Sequence, residues 1–274
     1  MKEITRQVMS FKTFNNPGKT ISRRNFVAMT TTGLATTSLS ASPLHNLLTH
    51  KNKIKAILFD AFPIFDPRPV FALAEKIFPG KGTELSNSWK SKQFEYCWLR
   101  TAGAQYTDFW KVTEDALVYA ARKTGVELST ENRQQLMSAY LKLDVWPDVI
   151  PALKLLKEQG IVLSFLSNMT SEMLSSCIKN SKTQEYFTHI LSTDKVKSYK
   201  PSPVSYRLGV DTLKFKKEEI LFVPFASWDT TGAKWFGYPT FWINRLGTPN
   251  EELGVVADGM GASLNDLVDF VRQR

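Results

Sequence analysis

Four places in this 274-residue chain carry side chains able to bind or to do acid-base work. Asp60 stands within the stretch IKAILFDAFPIFD, residues 54–66. Ser167 and Asn168 follow the apolar run IVLSFL. Lys200 sits in Tyr199-Lys200-Pro201, and Trp228-Asp229 follow LFVPFAS. The remaining chemistry is limited by what the chain lacks. His45, His50 and His189 are its only histidines, so a His-based metal cluster or a Ser-His-Asp triad is nearly excluded. Cys97 and Cys177 are too few for a disulfide scaffold or a zinc site. Acid-base work must therefore fall to carboxylates, lysine or tyrosine.

The elements around these groups explain their placement. Ile54, Ala56, Ile57, Leu58 and Phe59 form an apolar run flanked by lysines and closed by Pro63, which reads as a buried strand over 53–60. Residues 67–145 contain no convincing strand; their spacing predicts four helices, over 70–77, about 85–98, 108–123 and 131–143. Such an insert directly after the first strand looks like a small lid. Beyond it the pattern alternates, with helices at 149–159, 171–180, 202–213, 230–236 and 263–272, and strands at 161–167, 189–192, 219–223 and 239–243. That alternation predicts an α/β fold, a doubly wound parallel sheet. Open sheets of this kind bind ligands outside the carboxyl ends of their strands. Each polar group also has a local reading: Asp60 as a loop cap, Ser167 and Asn168 as helix caps, Lys200 as a solvated lysine, and Asp229 as an N-cap. Placement at one carboxyl end after another favours a shared site.

The composition, 43% hydrophobic and 22% charged, is that of a soluble globular protein. The formal charge is +9, but residues 1–42 hold six basic residues against one acid. The excess elsewhere forms no long basic run, so nucleic-acid binding is not expected. Residues 1–42 have the three-part layout of an export signal: a basic section, the run 27–39, and the small residues Ser40-Ala41-Ser42. The segment SRRNF resembles the twin-arginine (Tat) export motif. This implies passage through the Tat translocase, a periplasmic location, and cleavage near Ala41 or Ser42. The apolar run is too short and Thr-rich to remain as a membrane anchor.

An aspartate after strand one, Ser-Asn after strand two, Lys-Pro, and Trp-Asp before a helix together resemble the haloacid dehalogenase (HAD) superfamily. The likeness is greatest to its type II L-2-haloacid dehalogenases, through SWKSKQFEYCWLR, YTDFWKVTEDAL, FLSNMT, SYKPSPVSY and WDTTGAKWFGYPTFWINR. The resemblance implies a Rossmann-like core (53–66 and 146–274), a helical cap (67–145), a homodimer, and no metal or cofactor. It also implies a reaction. Asp60 attacks the halogen-bearing carbon of a small 2-haloalkanoate and expels halide, and water then hydrolyses the ester to a 2-hydroxy acid. Ser167, with the backbone N–H groups of Ala61 and Phe62, would hold the substrate carboxylate. Lys200 would keep Asp60 ionised, and Asp229 would help activate water. Asn168, Trp228 and Phe109 would line the halide's path, Lys90 would stand where the family has a halide-receiving arginine, and Tyr206 would support the lysine and the carboxylates.

Several positions depart from the family pattern. The loop after the nucleophile reads Pro63-Ile64 rather than Gly-Thr. Pro224 and Ala226 replace a serine and an asparagine that position the hydrolytic water, so ester hydrolysis should suffer more than the first step. An impaired protein that binds small carboxylates, or a hydrolase with another leaving group, is therefore the alternative. Phosphatases of the superfamily need carboxylates where this chain has Phe62 and Phe225, which argues against phosphoryl transfer. The cap aromatics Trp89, Phe94, Trp98 and Trp110 are expected in the core, with only Phe109 reaching the site.

Overall fold

A computed structural model describes residues 53–274; the expected export signal lies outside them. The first apolar run forms β1 (Ala56–Phe59), every residue of it buried. It is shorter than expected because ladder pairing starts only at Ala56, opposite Val162 on one side and Ile220 on the other. With β2 (Val162–Ser167), β3 (His189–Ser192) and β4 (Ile220–Val223) it makes a parallel sheet of order β3-β2-β1-β4. The chain winds outward from β1 to β3, then returns to lay β4 on the other side of β1. The crevice of an open sheet opens where the winding reverses, here between Asp60 and the loop after β4.

A second pair lies beyond β4. Strand β5 (Phe241–Ile243) runs parallel to β6 (Gly259–Gly261), and a single bridge from Phe222 to Thr240 joins it to the main sheet. The sequence gives no sign of β6, since Gly-Met-Gly has neither alternation nor β-branched residues. Its place depends on close approach: a Cβ on Gly259 would come within 2.6 Å of the Phe270 ring.

Alternation along the strands divides the core. Ile57, Phe59, Leu163, Phe165, Leu221 and Val223 face one cluster, which also takes in α5 (Val149–Glu158), α6 (Ser171–Asn180) and α9 (Leu264–Arg272). Ala56, Leu58, Leu166, Ile220 and Phe222 face the other, with α7 (Pro203–Leu213) and α8 (Ser227–Phe236). Both faces of a parallel sheet are thus covered, as its continuous apolar strands require.

Four helices lie within residues 67–145, as expected: α1 (Arg68–Ile77), α2 (Gly82–Ala102), α3 (Phe109–Thr124) and α4 (Thr130–Ala139). The last stops four residues before its expected end, in a turn at Tyr140 to Lys142. Asp108 caps α3 by accepting from the Lys111 N–H at 2.9 Å, and Gly125 ends it at φ +70°. Helices α2 and α3 are locked in register. Trp89 Nε1 donates to the Thr113 carbonyl (2.8 Å) and Gln93 Nε2 to the Thr113 hydroxyl (2.6 Å), both buried. This register turns Lys90, Gln93 and Phe94, spaced i, i+3, i+4, to one side.

The two connections between the sheet and the four-helix insert run side by side. Asp66 N–H donates to the Asp144 carbonyl (2.9 Å), Trp146 N–H donates to that of Ile64 (3.1 Å), and Phe65 and Val145 form an antiparallel bridge. Trp146 Nε1 then donates back to the carbonyls of Phe62 (2.9 Å) and Phe65 (3.2 Å). The guanidinium groups of Arg68 and Arg245 lie 4.4 and 4.6 Å from the Trp146 ring. Arg245 holds Asp148 through two bonds, at 3.0 and 2.9 Å, and donates to the Pro63 carbonyl at 3.0 Å. A second clasp sits further out, where Tyr106 donates to Asp194 (2.8 Å), Tyr199 donates to the Thr107 carbonyl (2.5 Å), and the two rings stack.

The Arg245 side chain is only 7% exposed, so removing its counter-ion leaves a charge in the protein interior. Asp148→Ala is expected to lower unfolding free energy by about 3–5 kcal/mol in urea titration. Adding Arg245→Met to that variant should recover part of the loss.

Candidate active site

The sheet delivers each polar group from a different carboxyl end. Asp60 follows β1, Ser167 closes β2, Lys200 lies in the loop after β3, and Asp229 follows β4. The local readings fail for three of them, that of Lys200 as a solvated lysine because its side chain is 1% exposed. Helix α6 is capped by Thr170, whose hydroxyl accepts from the Met173 N–H at 3.1 Å, so Ser167 and Asn168 are not its caps. Helix α8 starts at Ser227, three residues earlier than expected, with Thr230 N–H donating to the Ala226 carbonyl (3.1 Å). Asp229 therefore lies in its first turn rather than at the N-cap.

Lys200 joins these groups. Its Nζ donates to Asp60 Oδ1 at 2.7 Å and to Asp229 Oδ2 at 2.6 Å. The lysine and Asp229 side chains are 1% exposed, while that of Asp60 is 13% exposed and reaches the cleft. Burial favours the neutral lysine, but the charges of Asp229 and Asp60 outweigh it and hold the pKa above the ordinary lysine value. Burial pushes Asp229 up to about 6, helped by Asp60 and opposed by Lys200 and Tyr206. Tyr206 donates to Asp229 Oδ1 at 2.7 Å, and burial beside that carboxylate raises its phenol well above the usual range. Gly232, one turn on in α8, makes room for this contact, since a Cβ there would lie 2.5 Å from the Tyr206 oxygen.

The Asp60 oxygens differ. Oδ1 takes Lys200 and the Ser167 hydroxyl (3.3 Å), whereas Oδ2 meets only the Phe62 N–H, at 3.4 Å. Asn168 is fixed through Oδ1, which accepts from the Lys200 N–H (3.0 Å) and the Thr193 hydroxyl (3.2 Å). Its Nδ2 is buried, has no partner among the described residues, and belongs to a side chain that lines the cleft. A buried amide without an acceptor is costly unless a ligand completes it.

The cleft holds about 330 Å³ between the sheet end and the four-helix insert. Of the residues singled out in the sequence, Asp60, Phe62, Lys90, Phe109, Ser167, Asn168, Trp228 and Asp229 line it. Ala61, Lys200 and Tyr206 do not. Lys200 and Tyr206 are buried among the ionic group, and the Ala61 carbonyl closes a turn by accepting from Ile64 and Phe65 N–H. Tyr206 is therefore not a substrate contact. Phe94, expected in the core, lines the cleft and packs on Trp228 with ring centroids 5.2 Å apart. Its spacing of four from Lys90 was the available signal. Trp146, Phe71 and Phe225 also line it, and no local pattern marked them. Lys90 is half-buried 4.6 Å above the Phe71 ring, makes no ion pair among the described residues, and has its pKa lowered by burial. Phe62 and Phe225 pack edge to face at 6.1 Å, where phosphoryl chemistry would require carboxylates. Cys97 and Cys177 are free and buried, one in α2 and the other in α6.

The lysine's role can be read from stability. Lys200→Met leaves two carboxylates facing each other without a cation, at an expected cost of about 3–5 kcal/mol at pH 8. Asp229, already raised to about 6, should rise further. A carboxylate raised in the folded state contributes stability below its unfolded pKa and loses it as pH rises through the folded value. Urea titrations should therefore show a smaller defect at pH 5 than at pH 8.

Comparison with known proteins agrees with this geometry. The family model "Haloacid dehalogenase-like hydrolase" matches residues 104–243. An (S)-2-haloacid dehalogenase of Pseudomonas sp. strain YL is 39% identical over 79% of this chain and 94% of its own. A crystal structure of an L-2-haloacid dehalogenase superimposes with a TM-score of 0.79 at 39% identity, covering 80% of this chain and 99% of that one. The L-2-haloacid dehalogenase of Xanthobacter autotrophicus, solved with chloropropionic acid covalently bound, superimposes with a TM-score of 0.73 at 31% identity, over 80% and 98% of the two chains. This chain belongs to the haloacid dehalogenase-like hydrolases and, within them, to the (S)-2-haloacid dehalogenase family.

Proposed function

We propose that the protein hydrolyses (S)-2-haloacids to 2-hydroxy acids through an ester on Asp60. The observation that carries this reading is the asymmetry of Asp60: one oxygen is held by Lys200 and Ser167, and the other keeps its lone pairs for attack at the cleft. In the first step Asp60 Oδ2 forms a bond to C2, and halide departs with the C2–halogen electron pair. Lys90, Trp228 and the unpartnered Asn168 Nδ2 receive it. Ser167, with the Phe62 N–H of the loop after Asp60, holds the substrate carboxylate. In the second step water attacks the ester carbonyl of Asp60, giving a proton to ionised Asp229; the acyl–oxygen bond breaks, the departing alkoxide takes that proton from Asp229 to become the product's hydroxyl, and the water's other proton leaves the Asp60 carboxyl to solvent. Only the first step touches C2, so the product has inverted configuration.

Few groups are free to position the water of the second step. Pro224 and Ala226 offer no side-chain donor to the water, and the nearby Ser227 hydroxyl is committed to Glu251 at 2.6 Å. Both Asp229 oxygens are already engaged, by Lys200 and Tyr206. Ester hydrolysis is therefore the slow step. Rapid mixing with 2-bromopropionate should release about one halide per site in a burst, followed by slower turnover. Asp60→Asn should abolish both phases. The steady rate should fall below about pH 6, where Asp229 is protonated, while the burst persists to lower pH. Absence of halide release at every pH would overturn the reading.

We also propose that residues 67–145 form a cap domain over the core, that the protein is a homodimer, and that residues 1–42 direct Tat export to the periplasm. The paired Arg23-Arg24 supports the last point. Replacing both arginines with lysine should leave the full-length precursor in the cytoplasm. The wild-type product, cleaved near Ala41, should appear in the periplasmic fraction with twice its chain mass by light scattering.

A further inference from the structure

The cleft is larger and more apolar than a two- or three-carbon haloacid requires. Its volume of about 330 Å³ falls in the range of sites that enclose drug-sized ligands. Asp60, Ser167, Asn168 and Asp229 line its sheet end, and Arg68, Lys90, Gln93 and Thr248 add polar groups elsewhere. The remaining wall is largely aromatic. Phe62 and Phe225 form one ring pair at 6.1 Å, and Phe94 and Trp228 another at 5.2 Å. All four rings stay part-exposed along the cleft. A substrate's carboxylate and halogen occupy the Asp60 end, where Trp228 borders the halogen on one side, so the third substituent on C2 is the part that reaches the other rings. A methyl group would leave most of that wall facing water.

Resting on the dehalogenase reading above, we propose that this site is built for 2-haloacids whose third substituent is an alkyl chain of about four carbons or more, seated between the Phe62–Phe225 and Phe94–Trp228 pairs. Each methylene taken from water into such a wall adds roughly fourfold to kcat/KM. Short haloacids are then turned over but are poor substrates.

The test is halide release from racemic 2-bromopropionate, 2-bromobutanoate and 2-bromohexanoate. The expected result is a rise in kcat/KM along the series, with the six-carbon acid roughly tenfold or more ahead of the three-carbon one. A fall with each added carbon would overturn the proposal. Phe225→Ala should flatten the series, and Phe225→Leu, which keeps apolar volume, should retain most of the slope. A slope unchanged in the alanine variant would remove Phe225 from the proposed seat. If no bromide appears from any acid, the dehalogenase reading fails and the substituent site is tested by binding alone. Hexanoate and propionate would be titrated against the fluorescence of Trp146 and Trp228, which line the cleft. Hexanoate binding about tenfold tighter upholds the apolar seat, and equal affinities refute it.

Discussion

The structure depends on one buried cation. Lys200 is 1% exposed, and an unpaired ammonium at that depth would lose its proton or unfold the site. It stays charged because two carboxylates from other parts of the chain reach it within 2.7 Å. Three sheet ends must therefore meet in one place before the lysine can be buried at all. The demand is mutual, since Asp229 is as deeply buried and its ionised form is supported by the lysine and Tyr206. Each partner is tolerable only in the presence of the others. A group of this kind adds little net stability but strongly disfavours arrangements that leave one charge alone.

Everything nearer the cleft is arranged on this group. Asn168 holds the Lys200 backbone, while its own amide nitrogen is left without a partner among the described residues. The loop after Asp60, Ala61-Phe62-Pro63-Ile64, carries no glycine and no hydroxyl, yet it is well anchored. Trp146 takes the carbonyls of Phe62 and Phe65, and Arg245 takes that of Pro63. Side chains from distant parts of the chain thus do what local hydrogen bonds would otherwise do. The same indole forms part of the cleft wall, so the anchor and the binding surface share one residue.

The sequence showed Asp60 and its supporting sheet because a buried parallel strand must be apolar, and the first polar residue after it is conspicuous. Helices with strong punctuation, such as α6 and α9, were placed to within a residue. The start of α8 was not, because Pro224, Phe225 and Ala226 include no capping side chain and Asp229 imitates one. Strand β6 was missed because its backbone is held by neighbours rather than by its own Gly-Met-Gly. The Arg245–Asp148 pair spans 97 residues, and its bond to the Pro63 carbonyl spans 182, distances over which no local pattern operates. The cleft's aromatic wall was under-read for a related reason: a phenylalanine looks the same in sequence whether it faces a core or a ligand.

The pairing of Phe65 with Val145 has a consequence for the chain's history. Seen from the sheet, the entire run 66–144 leaves and returns through one point, as though it were a hairpin. Ring-closure entropy grows only with the logarithm of loop length, about 0.6 kcal/mol for each doubling. Once that doorway is zipped, β1 and β2 are nearly indifferent to how much chain lies outside it. Insertions or deletions among the four helices would leave the charged group at the sheet end intact, so the part that shapes substrate choice can drift while the part that performs the displacement stays fixed.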